Sequence, residues 1–136
     1  ADPRNPDIKS IINDTIKMRE DFRPFAPAVL EEHYKEYFDT NSPSPYMSRI
    51  CKVKTDKVPG ITHVDNTARI QTVNKQFNEK FYNIINEFYK ITGIPMLLNT
   101  SFNCQEPIVE TPEQAIRTFK KTALDILVIN DWRLEK

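Results

Sequence analysis

Residues 75–98 constrain the fold more than any other stretch. Phe77, Phe81, Ile84, Ile85 and Phe88 recur at helical spacing over residues 75–92, and Gly93 stands where a helix C-cap belongs. Ile94–Leu98 follows at once, an apolar run of the length of a buried strand. The run then changes character. Of the next five residues, Asn99, Thr100, Ser101 and Asn103 carry short hydrogen-bonding side chains. A strand ending in amides and hydroxyls places them where α/β sheets gather ligands, beyond the carboxyl end. The plain alternative is an Asx or Ser/Thr turn that only stops the strand.

The rest of the chain fits alternating helices and strands. Asn5-Pro6 ahead of Ile8, Ile11, Ile12 and Ile16 predicts a capped amphipathic helix. Pro24 and Pro27 resist helix, so residues 22–30 read as an extended segment that becomes a strand near Ala26–Leu30. Residues 31–38 suit a short helix, 46–54 a strand, and 63–73 a segment ending in a β-branched strand. Thr111-Pro112-Glu113 opens a helix through about Lys121, residues 126–130 form a last apolar strand, and "DWRLEK" is a hairpin arm or a tail. The fold class is α/β, with some parallel pairing, in a single domain over residues 1–136.

Composition narrows the function. Nineteen Lys plus Arg balance nineteen Asp plus Glu, which makes nucleic acid an unlikely partner, since phosphate binding needs excess cation. Two glycines cannot build a GxxxxGK[ST] or GxGxxG loop, and no HExxH occurs. Cys51 and Cys104 lie far apart, so a reducing, cytoplasmic setting is expected. No run of 18 apolar residues predicts a membrane span. The opening "ADPRNPDIKS" reads as a piece of something longer.

The chemistry-bearing groups are few. Lys17, Arg19 and Arg23 cluster before Pro24, either as a solvated basic face at a helix end or as a phosphate clamp. The setting of Arg23 between Phe22 and "PFAP" favours the clamp. Arg69, if it faces inward, needs an anion, which Asp65 or a ligand could supply. His63 and His33 read as hydrogen-bonded or exposed residues, and Cys104 has no orienting histidine. A polar strand end plus several cations suits an anionic small molecule handled by positioning and charge stabilisation.

The segments "ADPRNPDIKSIIN", "FRPFAPAVLEE", "SPYM", "THVDNTARIQTV" and "LLNTSFNCQEPIVETPEQAIRTF", in this order, resemble the C-terminal domain of the nodulation, cephalosporin and tobramycin type of O-carbamoyltransferase. The resemblance covers essentially the whole chain. Some relatives have a glycine before the EPIV segment, whereas here Gln105 runs directly into Glu106. It implies a YrdC-like twisted mixed sheet with flanking helices. It implies ATP as co-substrate and carbamoyl phosphate as partner, joined as carbamoyl-adenylate before transfer to an acceptor hydroxyl. It also implies a separate N-terminal actin-like domain that holds the metal, with no metal in this part. Family ligand positions fall on Lys17, Arg23, Arg69 and Ser101, with Asn99 and Thr100 adjoining, and Lys17 and Arg69 in catalytic roles. A YrdC-like nucleotide or RNA-binding module without catalysis, and a purely structural domain, stand as alternatives.

Overall fold

The computed structural model describes residues 1–136. The chain is α/β, with a four-stranded mixed sheet, a two-stranded sheet and four α-helices, numbered here in chain order. Its residues gather into two compact units, one of residues 1–9 and 24–100, the other of residues 10–23 and 101–136.

The first unit holds the larger sheet, with strands β1 (Ala26–Leu30), β2 (Arg49–Lys52), β3 (Thr67–Val73) and β4 (Met96–Asn99) in the order β2-β3-β1-β4. β1 runs parallel to β3, with Ala28 opposite Gln71, and antiparallel to β4, with Ala26 opposite Asn99. As an inner strand it is buried along all five residues, which is why it carries no polar alternation. Its ladder with β3 is registered from Ala28 onward, so the N–H that Pro27 lacks falls just before it. β3 alternates instead: Ala68, Ile70 and Thr72 are buried, while Arg69 and Gln71 lie on the more open face.

Helix α3 (Glu79–Thr92) covers part of that second face, packing Ile85, Phe81, Tyr82 and Tyr89 against Ala28, Leu30, Val73 and Leu97. The Asn78 side chain caps it by accepting from the Phe81 N–H, and Gly93 ends it at φ 71°. It therefore starts four residues later than its apolar spacing predicts. Phe77 lies before the cap and is 88% exposed, and Ile84 points outward. The true apolar stripe runs through Phe81, Tyr82, Ile85 and Tyr89.

Helix α1 (Ile8–Ile12) also starts later than expected, with residues 6–7 in a turn, although Asn5 Oδ1 accepts from the Asp7 N–H at 2.9 Å as an N-cap would. The short helix α2 (Tyr34–Tyr37) and the 3-10 turn Pro59–Ile61 complete the first unit. In the second, helix α4 (Pro112–Lys121) carries a full capping box between Thr111 and Gln114. The hairpin β5 (Ile126–Ile129) and β6 (Trp132–Glu135) shows that the closing residues form an arm and not a tail. Ala115, Phe119 and Leu127 make the core there, with Phe102, Val109 and Leu134 against it. No helix is long and apolar enough to cross a membrane.

Gly60 is fixed by close approach. Its N–H donates to the Pro3 carbonyl at 2.9 Å, and an added Cβ would stand 2.6 Å from Ile8 Cγ2 and 2.9 Å from the Pro3 oxygen. Gly60→Ala is expected to destabilise the fold by about 1–3 kcal/mol in urea unfolding, the usual range for forced overpacking.

Candidate functional site

Lys17 is the one charged residue that is buried, at 2% exposure. The backbone puts it there by an irregularity. After Ile12 the helix widens into a π turn, Asn13–Lys17, closed by Met18 in the left-handed region at φ 50°. Asn13, fully buried, organises the segment from there to Arg23. Its Oδ1 accepts from Arg19 Nε at 2.8 Å, and its Nδ2 donates to the carbonyls of Asp21 (3.2 Å) and Arg23 (3.0 Å).

The ammonium of Lys17 meets the loop after the polar cluster. Nζ donates to the Ser101 carbonyl at 2.5 Å, Asn103 Oδ1 at 2.8 Å, the Asn103 carbonyl at 3.0 Å and Ser101 Oγ at 3.1 Å. An ammonium has three N–H donors, so all are engaged. The loop is braced from within. Ser101 Oγ donates to Asn103 Oδ1 at 2.7 Å, Asn103 Nδ2 donates to the Glu106 carbonyl at 2.7 Å, and Thr118 Oγ1 on α4 donates to Glu106 Oε1 at 2.5 Å. Phe102, between Ser101 and Asn103, packs into the core.

Every acceptor around Lys17 is neutral. The ion pairs of the chain join Arg4–Asp2, His33–Glu36, Lys90–Glu87 and Arg133–Glu135, and none includes Lys17, Arg23 or Arg69. Burial pushes the Lys17 amine down to about 8, with Arg19 and, more weakly, Arg23 adding repulsion that Cys104 and Glu106 partly oppose. The Glu106 carboxyl goes the other way, down to about 2, chiefly through the Thr118 hydroxyl and then backbone N–H groups. The result is a positive centre without a contacting counter-ion, suited to an anion.

In the first unit, Asn99 ends β4 and donates from Nδ2 to Gln71 Oε1 at 2.9 Å. Gln71 and Arg69 share a face of β3 by strand alternation, so Arg69, Gln71 and Asn99 line the same side of that sheet. Arg69 is exposed and faces outward, which removes the need for an internal partner. Asp65 is not that partner: its Oδ1 accepts from the Thr67 N–H (3.1 Å) and hydroxyl (2.7 Å). His63 Nδ1 lies 3.2 Å from the Thr67 hydroxyl.

Of the residues singled out from sequence, Lys17 and Ser101 are brought into contact. Arg23 is exposed and Phe22 beside it is 84% exposed, so the apolar flank does not pin that guanidinium. Thr100 is exposed where the chain leaves the first unit. Cys104 has Sγ 4.0 Å from the Lys17 carbonyl and no histidine partner. Sequence reasoning passed over the roles of Asn13, Asn103, Glu106 and Thr118. A second asparagine two residues beyond Ser101 was the available signal.

The Lys17 amine titrates lower when folded than when unfolded, so between about pH 8 and its ordinary 10.5 the unfolded chain holds more protons. Stability must then gain a positive contribution with rising pH in that window. Denaturant midpoints measured across it should rise more steeply for the native chain than for Lys17→Met, and equal slopes would contradict the burial of the charge.

A family model described as "Carbamoyltransferase C-terminus" matches residues 1–136. Nodulation protein NolNO of Sinorhizobium fredii is 45% identical over 143 residues, covering 100% of this chain and 21% of that protein. Nodulation protein NolO of Bradyrhizobium diazoefficiens is also 45% identical over 143 residues, with 100% and 26% covered. An uncharacterized protein of Synechocystis is 42% identical over 160 residues, again with 100% and 26% covered. The chain thus spans only 21% to 26% of the length of these relatives. The match runs through the loop that holds Lys17 and the strand that presents Arg69, and the chain belongs to the carbamoyltransferase C-terminus family.

Proposed function

We propose that these residues form the part of an O-carbamoyltransferase that binds ATP and carbamoyl phosphate and makes carbamoyl-adenylate. In this reading, water cleaves carbamoyl phosphate to carbamate and inorganic phosphate, a carbamate oxygen attacks the α-phosphorus of ATP, and pyrophosphate leaves. The carbamoyl group then passes to an acceptor hydroxyl with departure of AMP. Both substrates are polyanions, so fixed cations must offset their repulsion. A charge-assisted contact to phosphate contributes on the order of 1.5–3 kcal/mol.

The observation that carries the reading is the buried Lys17 ammonium, solvated by four neutral oxygens and matched by no carboxylate in contact. Such a charge favours a ligand that brings the negative charge with it. Lys17 has no spare donor, so its part is to fix the Ser101–Asn103 loop and supply the positive field. Arg23 and Arg69, exposed and outside any ion pair, are the groups able to fork onto phosphate oxygens. Asn99 and Thr100 orient substrate oxygens, and Ser101 joins them through its loop, its hydroxyl proton being given to Asn103. A YrdC-like fold, a cytoplasmic location and an N-terminal partner domain belong to the same reading. In this reading the metal expected of such enzymes belongs to that other domain.

Pyrophosphate release by the full-length protein, given ATP and carbamoyl phosphate, tests the reaction, and calorimetry with each ligand tests binding. Arg69→Ala should abolish adenylate formation or cut it by at least about tenfold, the cost of one lost phosphate contact. Its exposed position predicts an unchanged melting temperature. Native-like adenylate formation by that variant removes Arg69 from the mechanism.

A further inference from the structure

Asn103 is the junction of the hydrogen bonds around Lys17. Its Oδ1 accepts from both Lys17 Nζ (2.8 Å) and Ser101 Oγ (2.7 Å), its carbonyl accepts from Lys17 (3.0 Å), and its Nδ2 donates to the Glu106 carbonyl (2.7 Å). A carboxamide is the short side chain that accepts at one end, donates at the other and adds no charge. Aspartate has the same shape. It would accept from Lys17 and Ser101 equally well, but it would neutralise the ammonium and could not donate to Glu106. The one carboxylate near the ammonium, that of Glu106, is held by Thr118 and makes no ion pair with Lys17.

We propose that Asn103 is a positioning residue whose neutral amide aims the Lys17 ammonium and keeps it without a counter-ion, so that its field attracts the phosphate-bearing substrate. The proposal rests on the anion-binding reading above and adds the residue that sets the charge of the site. The charged and titratable groups facing Lys17 are Arg19, Arg23, Cys104 and Glu106, and the Asn103 variants leave each of these residues in the sequence.

The test compares Asn103→Asp with Asn103→Ala in the full-length protein. The Lys17 titration is followed by NMR of labelled lysine side chains and assigned with Lys17→Met. Asn103→Asp should raise the Lys17 titration midpoint by at least one pH unit and weaken carbamoyl phosphate and inorganic phosphate binding tenfold or more. Asn103→Ala, which loosens the loop without adding charge, should weaken anion binding less than Asn103→Asp. Equal losses in the two variants, or a Lys17 midpoint in Asn103→Asp unchanged from the native chain, would overturn the proposal. If Asn103→Asp does not fold, retention of native anion affinity by Asn103→Ala overturns it, and a clear loss supports it. Failure of the native protein to bind carbamoyl phosphate would refute the functional reading alone, because the lysine titration needs no ligand.

Discussion

The second unit of this protein is organised around one ammonium group. Lys17 is removed from water and resolvated by two carbonyls, a hydroxyl and an amide oxygen from residues 101 and 103. A buried charge costs several kcal/mol unless its hydrogen-bonding capacity is filled, so the loop must adopt the one shape that supplies those oxygens. Phe102 in the core, Glu106 tied to Thr118, and the Gln105 amide on the Met18 carbonyl all serve that shape. The lysine and the loop define each other, over sequence separations of 84 and 86 residues.

Hydrogen bonding and charge compensation are separate matters here. The donors of Lys17 are satisfied, yet its charge is not cancelled by contact. Most buried ions in proteins are paired with an opposite ion. Leaving one solvated only by dipoles keeps a positive potential in place at the expense of stability. The depressed titration of the amine is the same fact seen from the proton's side.

What the sequence made legible was local. β1 appears at Ala26–Leu30 as expected, because its prolines and its apolar run are written in adjacent residues. Gly93 ends α3 and Thr111 opens α4 for the same reason. The errors lie where distant contacts decide. The isoleucine pattern of residues 8–16 reads as a regular helix, but the bonds from Asn13 to Asp21 and Arg23, and from Lys17 to the far loop, widen it. Phe77 and Ile84 fit a helical period and still lie outside the core, since Tyr82 and Tyr89 fill the stripe. The division into two units was not readable, because the second is assembled from two stretches separated by 77 residues, 24–100. Of the site, the residue types were legible and the wiring between them was not: Asn103 shows its part only once its three partners, Lys17, Ser101 and Glu106, are in space.

The widened turn at Asn13–Lys17 has a consequence for how this segment can vary in length. Each residue advances an α-helix by about 100° and 1.5 Å. Five residues of a π turn cover about the rotation and rise that four cover in an α-helix, so deleting one residue from positions 14–16 would let the helix close regularly and leave residue 17 near the 101–103 carbonyls. Inserting a residue there would instead turn Lys17 by about 100° away from those carbonyls, so the segment should tolerate a single deletion at positions 14–16 better than a single insertion.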